Sequence, residues 1–82
     1  MVQQAMIVKV QTPLGARDAV EFVRFANQYK EDTTILYANK TGSAKSLMFV
    51  LSLGLVPGSE IELNGPQECL DRLVRFICPQ DQ

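Results

Sequence analysis

The stretch MIVKVQTPLGARDAVEFVRFA, residues 6–26, decides the architecture because its hydrophobic period changes partway along. Met6, Val8 and Val10 alternate with Ile7 and Lys9, the two-residue period of a half-buried strand. Thr12-Pro13-Leu14-Gly15 then breaks the pattern and opens a helix. From Ala16 to about Tyr29, Ala19, Phe22, Val23 and Ala26 recur at i, i+3, i+4 and i+7, which is one helical face. Arg17, Asp18, Glu21, Arg24 and Gln28 fall mostly on the other face, and Phe25 lies off the buried stripe, toward solvent.

Working outward, Thr33 to Ala38 is rich in β-branched and aromatic residues and predicts a second strand. Asn39-Lys40 reads as a tight turn into a short third strand ending near Ser43. Ser46 precedes the helical run LMFVLSLG, with Gly54 placed to stop it, so the run carries an N-cap serine and a C-terminal glycine. Glu60-Ile61-Glu62-Leu63 alternates cleanly as a strand with one wet face. Gly65-Pro66 is expected to start the last helix, with Glu68 in its first turn and an apolar stripe of Cys69, Leu70, Leu73, Val74 and Ile77. The order is β-α-β-β-α-β-α. Four short strands and three helices that each need a partner predict an α+β two-layer fold, one mostly antiparallel sheet covered on one face.

The 82 residues make a single domain, with 46% apolar residues for its core and 21% charged residues for its surface. The net charge is −1, and the lysines and arginines are scattered, so nothing favours direct binding to nucleic acid. Two cysteines, Cys69 and Cys78, make neither a disulfide framework nor a zinc site, and no metal or cofactor is expected. Cys69 reads as a core residue and Cys78 as a terminal thiol. The start MVQQAMIVKV lacks the basic head and long apolar run of a secretory signal. Leu47 to Val56 is interrupted by Ser52 and Gly54 and is too short to span a bilayer, so the expectation is a cytoplasmic protein without a membrane segment.

Three local strings carry a resemblance to a known family. Thr12-Pro13-Leu14-Gly15-Ala16-Arg17-Asp18-Ala19 is similar to a family string T-G-L-H-A-R-P-A. Ala44-Lys45-Ser46-Leu47-Met48 lies close to N-x-K-S-I-M-G, and Ser52-Leu53-Gly54 is followed by Gly58-Ser59-Glu60-Ile61. The spacing between them needs no gaps, and Met-Val-Gln-Gln at the start also recurs in relatives. The chain thus resembles the HPr phosphocarriers of the bacterial sugar phosphotransferase system, in the Crh-like form that lacks the phosphorylatable histidine. Coverage runs from residue 1 to about 63, and beyond Gly65 the chain looks shorter than the family before its last helix. The resemblance implies an open-faced β-sandwich, four strands with three helices on one side, in agreement with the order read above.

In the family a histidine at the start of the first helix takes phosphate from Enzyme I and passes it on. Gly15 occupies that position, and the chain contains no histidine at all. A phosphoryl relay through nitrogen needs an imidazole that is neutral as nucleophile and charged as leaving group near neutral pH. The expectation is that this chain carries no phosphohistidine. Gly15, Ala16 and Arg17 remain at a helix N-terminus, an intrinsic anion position, with Arg17 beside the phosphate in the family. Asp18 replaces the family proline; it favours the helix by about 0.3–1 kcal/mol and repels a bound phosphate. Arg17 therefore reads either as part of a residual anion nest or simply as a solvated helix residue.

The serine matching Ser46 is, in some relatives, phosphorylated by HPr kinase/phosphorylase, and the product acts as corepressor for a catabolite control transcription factor. The resemblance implies the same switch here, although Ser46 also reads as an ordinary N-cap worth on the order of 1 kcal/mol. Val20, Lys45, Leu47, Met48 and Leu51 match the family's partner-binding surface. Ser43 stands where the family has asparagine and Phe49 where it has glycine, and Leu47, Met48 and Phe49 are expected to form an exposed patch that either blocks or enlarges that surface. The leading expectation is a regulatory or adaptor protein acting on other proteins, as a monomer or weak dimer. The alternative is a phosphorylation-independent protein-binding module. An enzyme is disfavoured, because no imidazole base, metal cluster or catalytic cysteine setting is present.

Overall fold

The computed structural model describes residues 3–78, so Met1 and Val2 of the N-terminal string lie outside the described residues. The elements are β1 (Gln3–Lys9), α1 (Ala16–Asn27), β2 (Thr34–Tyr37), β3 (Lys40–Ser43), α2 (Leu47–Ser52), β4 (Glu60–Pro66) and α3 (Gln67–Ile77). The strands form one sheet in the order β1-β4-β2-β3, and every pairing is antiparallel.

Register converts the sequence alternation into two faces. Val8 lies opposite Ile61, Met6 opposite Leu63, and Leu63 in turn opposite Ile35. These residues point inward, where Ile35, Ile61 and Leu63 are buried beneath Phe22 of α1 and Leu70, Leu73 and Ile77 of α3. The intervening row, Ile7–Glu62–Leu36–Thr41, faces away from that core, with Ile7 67% exposed. Burying the inner row is worth about 25 cal/mol per Å² of apolar surface, which is why the register cannot slip by one residue.

The α1 stripe is Ala19, Phe22 and Ala26, all buried. Two alanines let the helix approach closely while Phe22 reaches into the core. The helix stops at Asn27 rather than near Tyr29, because the last turn tightens: the Gln28 amide donates to the Phe25 carbonyl at 3.1 Å and the Tyr29 amide to the Ala26 carbonyl at 3.3 Å. Phe25 is half-buried rather than solvent-facing, since its ring lies 5.7 Å from that of Phe76 on α3. A helix face that looks polar in one dimension is thereby roofed by the neighbouring helix.

Two boundaries and one side chain also differ from expectation. The β2–β3 turn falls on Ala38 and Asn39, and Ala38 rather than the asparagine takes the positive φ, 56°. The pairing of Tyr37 with Lys40 leaves only two residues for the turn, so the register overrides side-chain preference. The expected helix start at Gly65-Pro66 is instead the end of β4, where Gly65 pairs with Gln4 and Pro66 with Gln3, and α3 follows without a loop. Pro66 is the extended N-cap, with ψ 138°, and not the first helical residue. Cys78 is buried rather than a loose terminal thiol, its Sγ donating to the Lys9 carbonyl at 3.0 Å. At the end of α2 the expectation held: Gly54 adopts φ 56° directly after the C-cap Leu53.

Gly65 is required by what lies above it. A Cβ at this position would meet Thr33 Oγ1 at 2.6 Å. Thr33 is buried and donates that hydroxyl to Cys69 Sγ at 3.5 Å, and burial pushes the Cys69 thiol above its ordinary range despite the hydrogen bond. Gly65→Ala is expected to destabilise the fold by roughly 1–3 kcal/mol, the range for overpacking. The same substitution should cost less in a Thr33→Ala background, and chemical denaturation of the four variants of that cycle measures the coupling.

Candidate functional site

The sequence points to two helix starts, those of α1 and α2. Gly15 caps α1 through its backbone: it is extended (φ −71°, ψ 174°), offers no side-chain cap, and its carbonyl accepts from Ala19 N at 2.8 Å. The position is exposed, and a Cβ there would meet nothing within 4 Å. Ala16, Arg17 and Asp18 are exposed in the first turn, and Arg17 makes no ion pair with any described residue. There is room for a side chain at residue 15, and the chain supplies none.

Ser46 caps α2. Its Oγ accepts from the Phe49 amide at 3.3 Å and its carbonyl from the Val50 amide at 3.0 Å, so two first-turn donors are satisfied by one residue. The segment leading into it is pinned as well. Ser43 Oγ accepts from the Lys45 amide at 3.0 Å, the Ser46 amide donates to the Ser43 carbonyl, and Asn27 Nδ2 bridges the carbonyls of Val23 and Lys45 at 2.9 and 3.2 Å. Serine at 43 thus performs a local turn function with its hydroxyl, as an asparagine amide oxygen would.

Lys45, grouped by resemblance with the partner-binding residues, is engaged inside the molecule. It is half-buried, and its Nζ donates to the carbonyls of Tyr29 at 2.7 Å and Lys30 at 3.4 Å, just past the end of α1. A cation there answers the negative end of the helix. Phe49 is only partly outside. It is half-buried, its ring packed onto Gly42 of β3 so closely that a Cβ at Gly42 would meet three ring carbons at 2.7 Å. The phenyl ring occupies the space that a bare glycine backbone leaves, and only part of it faces outward.

What remains outside is an apolar strip across α1 and α2. Met48 is 78% exposed, Leu51 44% and Val20 41%, while Leu47 is half-buried and packs toward the core. Val56, 55% exposed just beyond α2, was not anticipated from the sequence, nor were Asn27 and the Tyr29 carbonyl. Asn27 sits at a helix end with no motif around it, and a backbone carbonyl has no letter. No helix among the described residues is long and apolar enough to cross a membrane.

Comparison with known proteins points one way. Residues 2–78 match the family model for the HPr component of the phosphotransferase system, described by its phosphorylation site. The HPr-like protein Crh of Bacillus subtilis is 36% identical over 81 residues, covering 94% of this chain and 95% of the relative. The crystal structure of a phosphocarrier HPr from Bacillus anthracis superposes with a TM-score of 0.83 at 31% identity, covering 94% of this chain and 99% of that one. Crystalline Crh from Bacillus subtilis, described as a domain-swapped dimer, gives a TM-score of 0.72 at 34% identity, covering all of this chain and 99% of that one.

Replacing Lys45 with methionine keeps the aliphatic stem and removes the charge from the Tyr29 and Lys30 carbonyls. The expected loss is about 1.5–2 kcal/mol in urea unfolding, the lower part of the range for hydrogen bonds to charged groups, because Lys45 is only half-buried.

Proposed function

The chain belongs to the HPr family of the phosphotransferase system, and from that premise we propose that it is a regulatory or adaptor protein of the cytoplasm rather than a phosphohistidine carrier. Residues 1–82 form one domain in this reading, and the partners are proteins, not nucleic acid or membrane.

The observation that carries the proposal is the setting of Ser46. It lies half-buried at the start of α2, two residues before the exposed Met48. Phosphate on its hydroxyl would add about −1.5 to −2 charges at the positive end of the helix, which favours them. The modified serine and the strip of Val20, Met48 and Leu51, with Leu47 behind it, would be read together by a partner such as a catabolite control transcription factor. The switch changes surface charge beside an apolar patch and leaves the core alone. Lys45 and Phe49 serve this surface from behind, by holding the loop and helix that present it.

Incubation with HPr kinase/phosphorylase and ATP should add the mass of one phosphate group to the wild type and none to Ser46→Ala. An unmodified wild type would remove the phosphorylation reading. The alternative, a phosphorylation-independent binding module, is favoured by the internal engagement of Lys45 and Phe49, residues that differ in role or kind from a free docking surface. It predicts capture of the same partner by wild type and Ser46→Ala. A monomer in exchange with a weak dimer accords with β1 lying at a sheet edge and with the swapped dimer described for Crh.

Loss of the phosphocarrier role has its own test. Because a side chain at residue 15 meets open space, Gly15→His should change stability by no more than roughly 0.5 kcal/mol. With Enzyme I and phosphoenolpyruvate, an acid-labile phosphate is expected on Gly15→His and not on the wild type. Labelling of the wild type would overturn the reading of Gly15.

A further inference from the structure

On the α1–α3 side, Phe25, Asp71, Arg72, Arg75 and Phe76 enclose a groove of about 430 Å³. Its floor is aromatic: the half-buried rings of Phe25 and Phe76 lie 5.7 Å apart at 50°. The Arg72 guanidinium sits 5.6 Å from the centre of the Phe25 ring. A guanidinium held over a ring by cation–π attraction still has N–H donors to offer an anion, so less freedom is lost when one binds. Arg75 stands one helical turn further along the same wall. Neither arginine is paired with a carboxylate of the described residues, whose one ion pair joins Arg24 to Glu21. Asp71 adds a carboxylate, which accepts from Gln67 Nε2 at 2.8 Å and has further acceptor capacity.

We propose that this groove binds a mononucleotide, with the base on the Phe25–Phe76 floor and the phosphates on Arg72 and Arg75. Each part of the lining matches a part of that ligand. The half-buried Phe25 and Phe76 rings, tilted at 50° to one another, offer aromatic surface to a base, two guanidiniums one turn apart suit a diphosphate, and the Asp71 carboxylate suits a ribose hydroxyl or an amino group while disfavouring a bare polyanion. The volume lies in the range of small-molecule sites. The lining spans one residue of α1 and six positions of α3, which fits a compact ligand better than an extended acidic peptide. The site is independent of Ser46 and of the strip on α1 and α2.

Amide-resolved NMR titration of the whole chain with ADP, at constant ionic strength, tests the proposal. Saturable shifts are expected at Phe25 and residues 71–76, with a dissociation constant on the order of 0.1–1 mM. Adenosine and pyrophosphate should each bind about tenfold more weakly than ADP. Arg72→Ala combined with Arg75→Ala should weaken binding about tenfold or more, and Arg72→Lys, which keeps the charge and loses the guanidinium's forked donors, should weaken it several-fold. The unperturbed remainder of each spectrum reports that the variant is folded. The proposal is overturned if ADP gives no saturable shifts, if the shifts map to Gly15 or Ser46 instead, if pyrophosphate binds as tightly as ADP, or if a polyglutamate peptide fills the groove where ADP does not.

Discussion

Antiparallel pairing of β4 with β1 on one side and β2 on the other sets most other placements in this protein. The segment Glu60–Pro66 alternates charged or polar residues with Ile61, Leu63 and Gly65, so its pairing decides which face of three strands is dry. The dry face requires a cover, and α1 and α3 provide it with Phe22, Leu70, Leu73 and Ile77. Continuity of β4 with α3 makes that cover rigid, since no loop intervenes at Pro66. Cys78 and the Ile77 carbonyl then fasten the far end of α3 to Lys9 and Gln11.

The exposed strip on α1 and α2 is held in place by this scaffold. The end of α1 is tied to the approach to α2 by Lys45 and Asn27, which hold four backbone carbonyls between them. Phe49 anchors α2 to β3 through Gly42. The short helix is thereby fixed from both sides, and its outward residues, Met48 and Leu51, are presented without support of their own. Loss of the histidine leaves this arrangement intact, because Gly15 caps α1 with its backbone alone.

Much of this was legible in one dimension. The change of period near Thr12, the serine before LMFVLSLG and the alternation from Glu60 each named an element correctly, because each reflects a local periodicity or cap. Phe25 read as solvent-facing because helical periodicity describes one helix and knows nothing of Phe76 on another. Gly65-Pro66 read as a helix start because proline suits that position, while the pairing with Gln3 and Gln4 that keeps both residues in the strand is more than sixty positions distant. Ala38 took the strained turn position for the same reason: strand register outweighs a local preference for asparagine.

By itself the sequence determined the order of elements, the main apolar stripe of each and the absence of any imidazole. These follow from side-chain chemistry and spacing, which do not depend on distant contacts. Only the tertiary structure decided that Lys45 faces inward to the Tyr29 carbonyl, that Phe49 closes over Gly42, and that Arg72 lies on Phe25. Each is a contact between residues from different elements, and the free energy of such a contact exists only once the sheet has brought those elements together.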